Sequence, residues 1–208
     1  MKKIFLVHVI ALITLAGCSK KGNSPAPVPT SVVIAGTTYP IVTIGSQTFT
    51  AINYNGPGGE NFNNSDTNVP ADGKLYTMAE AQAITLPAGW RLPVAADYNK
   101  MLKDLGGTFF SNSTNYTVPE SVALQLMSTT GWNQTQGNNQ LGFNARPVGY
   151  FFVQFAGAGD YAFFLCNTPQ TGGNNEPLSL EVTPGQTAVY PFVIGTVAKW
   201  TVRFVKDN

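Results

Sequence analysis

Near its end the chain alternates cleanly: Ala198, Trp200, Val202 and Phe204 are interleaved with Lys199, Thr201 and Arg203, which predicts a strand buried on one face. The same short period marks Ile41-Val42-Thr43-Ile44 and Gln47-Thr48-Phe49-Thr50-Ala51-Ile52. Gly45-Ser46 between them predicts a hairpin, since Gly as first central residue suits a type II′ turn. Further on the period lengthens. Thr77-Met78-Ala79-Glu80 has the spacing of a capping box and predicts a short helix to about Ile84. Pro93 opens a second helix with Val94, Tyr98, Met101, Leu102 and Leu105 on one face, stopped by Gly106-Gly107. Asp97 and Asp104 fall off that stripe and read as solvated helix charges. Thr117-Val118-Pro119-Glu120 repeats the cap spacing and predicts a third helix carrying Val122 and Leu126 inward.

Beyond Trp132, aromatic and β-branched residues in short runs predict strands near 148–155, 160–167, 178–183, 187–194 and 197–205. Pro184-Gly185 supplies type II turn chemistry between two of them. Strands, then helices, then strands imply an α+β class, a mainly antiparallel sheet with two or three short helices.

The N-terminus follows other rules. Lys2 and Lys3 precede an apolar run from Ile4 to Leu15, too short to span a bilayer and suited to the core of a secretory signal. Leu15-Ala16-Gly17-Cys18 resembles the lipobox of bacterial lipoproteins, which implies removal of residues 1–17 and lipidation of Cys18. Several acyl chains on one residue anchor stably where a single chain does not. Residues 18–31 then form a tether, with Pro25, Pro27 and Pro29 favouring extended polyproline geometry. Residues 32–208 are expected to form one domain.

Charge and composition narrow the chemistry. From residue 32 onward eight basic residues face eleven acidic ones, a net charge of −3 with no basic run, which excludes nucleic acid as a partner. The one histidine, His8, lies in the leader, so the exported chain can build neither an imidazole-based catalytic dyad or triad nor a His-ligated metal site. With Cys18 lipidated, Cys166 is the sole thiol and reads as a buried small hydrophobe.

Five blocks carry a resemblance. In order they are Tyr39 to Phe49 (YPIVTIGSQTF), Gly73 to Thr77 (GKLYT), Pro87 to Pro93 (PAGWRLP), Gly142 to Tyr150 (GFNARPVGY) and Val202 to Asp207 (VRFVKD). Together they resemble the FISUMP domain, the Fibrobacter succinogenes major paralogous domain of secreted and lipid-anchored bacterial proteins, over residues 38 to 207. The resemblance implies a relative of the C-type lectin-like fold, no carried-over catalytic activity, and a bias toward extracytoplasmic binding. It also implies cysteines where this chain has Leu86 and Phe204, so these two are expected to pack together in place of a disulfide.

Candidate sites are few. Asn64-x-Asp66-x-Asn68 with Asp72 resembles the start of a calcium loop, but it lacks the turn glycine and the closing Glu, so no metal site and no cofactor are expected. The carboxylates are mostly isolated along the chain and give no pair to nominate for glycoside hydrolysis. Trp90, Trp132 and Trp200 read as core anchors. The loops 53–73, 107–116 and 133–141, carrying Tyr54, Phe62 and Tyr116 among many amides, are the expected ligand surface. These features point to a non-catalytic, lipid-anchored binding or adhesion module of the outer membrane, calcium-independent, with a glycan or cell-surface protein as partner. The alternatives are a structural component of a surface assembly and a carbohydrate-active enzyme.

Overall fold

Residues 30–65, 70–109, 115–168, 178–191 and 197–208 are described by a computed structural model. The leader, Cys18, the three tether prolines, Asp66, Asn68 and part of the 107–116 loop lie outside these residues.

Two tight turns build the first sheet. Ala35 and Gly36 both take positive φ (48° and 79°), the combination a type I′ turn needs, and fold β1 (Ser31–Ile34) back on β2 (Thr37–Ile44). This hairpin escapes the sequence reading because Ala is an uncommon first residue for that turn. The next turn is the expected one. Gly45 alone takes a positive φ (60°), and β3 (Gln47–Thr50) pairs with β2. A Cβ at Gly45 would also collide with the Asp104 carboxylate, so both φ and space demand glycine. β11 (Val205–Asp207) closes the order β1-β2-β3-β11.

The second sheet, also antiparallel, contains β4 (Thr108–Phe109), β5 (Tyr116–Pro119), β8 (Ala162–Cys166), β9 (Leu178–Val182) and β10 (Gln186–Pro191) in the order β4-β5-β10-β9-β8. A separate hairpin, β6 (Tyr150–Phe152) and β7 (Gln154–Ala156), occupies the stretch read as one strand at 148–155. Three helices complete an α+β fold: α1 (Met78–Gln82), α2 (Ala95–Asp104) and α3 (Glu120–Leu126).

Local chemistry explains where expectation and structure part. The Thr77/Glu80 capping box at α1 is present in full. At α3 it is absent: Thr117 lies in β5, where its hydroxyl donates to the Thr187 carbonyl at 3.0 Å, and the helix begins after Pro119. Gly185 lies outside the left-handed region, so the β9–β10 turn is not type II. Asp97 is not solvated but buried.

The largest correction concerns 197–205. Trp200, Val202 and Phe204 are buried as expected, but Thr201 and Arg203 between them are buried too. The segment is not a sheet strand until Val205. It threads between the sheets: Thr50 and Tyr54 amides donate to the Phe204 and Val202 carbonyls on one side, and the Leu165 amide donates to Thr201 on the other. A polar residue in an alternating pattern signals solvent only when one flank is open.

Two apolar clusters result. Tyr98, Met101 and Leu102 of α2 pack with Phe49, Trp132, Phe143, Phe164 and Leu180 on one face of the second sheet. Tyr39, Tyr54, Tyr76, Phe163, Leu165, Trp200 and Phe204 form the other. Each such buried side chain contributes about 1.5–3 kcal/mol. Leu86 packs, half-buried, against the second cluster, which also holds Phe204.

Candidate functional site

Strand periodicity builds an open surface at one end of the second sheet. In β8 and β9, Ala162, Phe164, Cys166, Leu180 and Val182 face the first cluster. Phe163 and Leu165 face the second, and Glu181, opposite Phe163 in the antiparallel register, shares their side. Extending the register by one pair sets Tyr161 across from Thr183. The threaded C-terminal segment pairs along the outer edge of β8, through the Phe164–Thr201 bridge and the Leu165 amide, and a groove lies at the Tyr161–Thr183 end of the strands.

The groove has a volume of about 500 Å³ and is lined by Gln134, Gly159, Asp160, Tyr161, Glu181, Thr183, Pro184 and Gly185. Its parts are held firmly. Tyr161 is 39% exposed and stacks at 5.5 Å and 16° on Phe163, which in turn meets Tyr150 edge-on. Gly159 has φ 85°, and a Cβ there would strike the Asn133 side chain. That contact lets Asn133 donate to Asp160 at 3.2 Å while its amide donates to the Gly159 carbonyl at 2.8 Å. Glu181 differs: burial raises its pKa, and among the described residues no hydrogen bond or ion pair reaches its carboxylate.

A second depression, of about 510 Å³, lies on the first sheet between Val32, Ile41, Trp90 and Lys206. Its polar groups serve one another, since Thr48 shares a hydrogen bond with Thr43 at 3.0 Å and donates to Asn208 at 2.7 Å. Trp90 is therefore a half-buried wall of this groove rather than a core anchor. Trp132 and Trp200 are in the core, and Trp132 Nε1 donates to Ser128 Oγ at 3.1 Å.

Elsewhere, the most polar residues of the quoted sequence blocks hold the fold together. Arg203 is fully buried. Its guanidinium donates to Asn53 Oδ1 (2.6 Å) and to the carbonyls of Thr50 (2.6 Å), Phe143 (2.9 Å) and Asn144 (3.0 Å), with the Phe143 and Phe164 rings 4.9 and 5.1 Å away. Burial pushes its pKa down to about 9, still a cation at neutral pH. Arg91 makes a two-pronged pair with Asp97 at 2.6 and 2.8 Å and also reaches Asp207 at 3.1 Å. Arg91 and Val205 exchange backbone hydrogen bonds as well. Each link joins two of the five blocks or a block to its flank.

That interlocking agrees with the family comparison. The family model described as Fibrobacter succinogenes major domain matches residues 35–206. The chain belongs to this family. No curated protein and no solved structure matches it.

In this Fibrobacter succinogenes major domain the expected ligand aromatics are largely committed to packing. Tyr54 is buried between Tyr39 and Tyr76. Tyr116 lies against Phe109 at 4.6 Å and Phe62 against Phe155 at 5.2 Å. Of the three expected loops, 133–141 contributes Gln134 to the groove. Of the calcium candidate only Asn64 and Asp72 are among the described residues; Asp66 and Asn68 lie outside them. Asn64 is in a 3-10 turn and Asp72 is paired with Arg146. Cys166 is buried, its thiol pushed up by burial, and is inert.

The domain's groove residues Asp160, Tyr161 and Glu181 were not singled out in the sequence. The available signal was Glu181 itself, a charge on the face of β9 opposite the apolar Leu180 and Val182.

Proposed function

We propose that this domain is a non-catalytic binding or adhesion module, held at the outer membrane through lipid on Cys18 and taking a glycan or cell-surface protein without calcium. The observation that supports it best is the groove beside Tyr161, where a ring fixed by stacking borders amide, hydroxyl and carboxylate groups. A rigid aromatic beside hydrogen-bonding groups suits the apolar face and hydroxyls of a sugar ring, and such sites bind through a few placed polar groups. The neighbouring turns at 157–161 and 183–185 bring these groups together on β8 and β9.

The test is glycan-array binding and envelope pull-down with the full-length protein in detergent, with and without EDTA. Expected is binding that EDTA leaves unchanged and that Tyr161→Ala abolishes. EDTA-sensitive binding, or binding indifferent to Tyr161, overturns the reading. A structural role in a surface assembly is favoured instead by one feature, the outer edge of β1. Among the described residues that strand is paired only with β2, and it carries Val33 at 56% exposure, a site where another strand can add.

A further inference from the structure

We propose that residues 27–29, the end of the proline-spaced tether, continue β1 along the open edge of β2 and lay Val28 over the groove between Ile41 and Trp90. The occupant of that surface is then the chain itself. This contact is independent of whatever the Tyr161 groove binds.

The two halves of β2 serve different partners. Thr37–Pro40 pairs with β1, and Ile41–Ile44 pairs with β3 on the other side. Backbone groups of successive residues point to opposite edges of a strand, and two hydrogen bonds fix the phase. The Ile41 amide donates to the Thr30 carbonyl at 3.1 Å, so Ile41 points to the β1 side, while the Pro40 carbonyl accepts from Ala51 on the β3 side. Thr43, two residues beyond Ile41, therefore points to the β1 side as well. It is exposed, and among the described residues no strand pairs with that stretch of edge.

The described chain begins at Thr30, already bonded to Ile41 and heading along this edge. Extending the register of β1 and β2 sets Pro29 opposite Val42, Val28 opposite Thr43 and Pro27 opposite Ile44. In that phase even-numbered residues point to β2 and odd-numbered ones point away. Pro25, Pro27 and Pro29 are all odd, so every missing N–H falls on the outward side, where it costs no ladder bond. Val28 supplies the donor and the acceptor that match Thr43. A spacer that needed only stiffness could carry its prolines in either phase. Outward prolines also keep a further strand from adding to this edge.

The side chains give the same register independently. Ile41 and Thr43 share one face of β2, with the Thr48 hydroxyl 3.0 Å from that of Thr43. That face is the floor of the groove of about 510 Å³ bordered by Val32 and Trp90. Residues paired across strands share a face, so Val28 falls on the groove side with Thr43, and the three prolines fall on the other. The pairing that satisfies the Thr43 backbone thus also covers apolar surface with the one branched aliphatic residue of Pro25–Thr30. With lipid on Cys18, as proposed above, the spacer left is residues 18–26, about 28 Å at polyproline rise.

Amide hydrogen exchange on the full-length protein in detergent, read for Thr43 in the parent and in Val28→Pro, decides the matter. One more proline leaves a solvated proline-rich spacer undisturbed, but in the docked register it removes the donor facing Thr43. Expected in the parent is a Thr43 amide that exchanges at least about a hundredfold slower than an unbonded one, at a rate indifferent to protein concentration. Val28→Pro should speed that exchange at least about tenfold, whereas Pro27→Ala, on the outward side, should leave it unchanged. A Thr43 amide unprotected in the parent, or protection that survives Val28→Pro, overturns the proposal. Protection that grows with protein concentration also overturns it, by assigning the edge to a second copy.

Discussion

Arg203 Nε donates to Asn53 Oδ1 at 2.6 Å across 150 residues of chain, and no carboxylate takes part in the site. Three carbonyls and two aromatic faces hold the cation instead. The planar fork matters more than the charge. Arg203→Lys keeps the charge but cannot reach all four acceptors, so it should cost about 3–5 kcal/mol. Chemical denaturation checks this, and a loss under about 1 kcal/mol would show that the fork is dispensable.

Asp97 should govern the acid limb of stability. Burial alone would raise its pKa, but the Arg91 guanidinium, the Val94 amide and Gln47 together hold it below its ordinary value. A depressed native pKa contributes stability above the unfolded value, near 4, and that stability is lost as pH falls through the native one. Asp97→Asn should cost about 2–4 kcal/mol at pH 7, and the gap from the parent should close as pH falls through the native value. A gap that stays constant with pH would place the loss elsewhere.

Glu181 works with the opposite sign. Its pKa is raised by burial, so its native state favours the proton, and stability falls as pH rises through that value above the ordinary 4.5. Glu181→Gln should therefore raise the thermal midpoint by about 1–3 °C at pH 7 and leave it unchanged near pH 4. A lower midpoint at pH 7 would mean the carboxylate is supported in the fold after all.

Val153 is a β-branched residue at φ 60°, 79% exposed at the tip between β6 and β7, where Phe152 pairs with Gln154. That conformation costs about 1–2 kcal/mol in a non-glycine residue, partly offset in glycine by its freer unfolded chain. Val153→Gly is expected to stabilise by about 0.5–1 kcal/mol. A drop in the thermal midpoint would reveal contacts of the valine that outweigh its strain.

Class, capping box and the Gly45 hairpin were legible because each depends on neighbours in sequence. The α2 stripe was legible for the same reason, and so were the five blocks. What sequence could not give was the second flank of a segment. Arg203 alternates with apolar residues as a solvent-facing side chain would, and only the sheet packed over it makes it a core residue. Asp97 lies off the apolar stripe of α2, yet Arg91 and Gln47, distant in sequence, cover it. Tyr54 was placed in a loop correctly and on the surface wrongly, because loop membership does not fix burial when Tyr39, Tyr76 and Phe204 close around it.

The threading of residues 198–204 between the two sheets bears on how the molecule assembles. Trp200 and Phe204 complete one cluster, while Arg203 ties together Asn53, Thr50 and the Phe143–Asn144 turn, so neither half is finished without the other end of the polypeptide. Such long-range closure makes for slow folding. A nascent chain halted before Ala198 would leave both aromatic faces bare to proteases and to other unfinished copies.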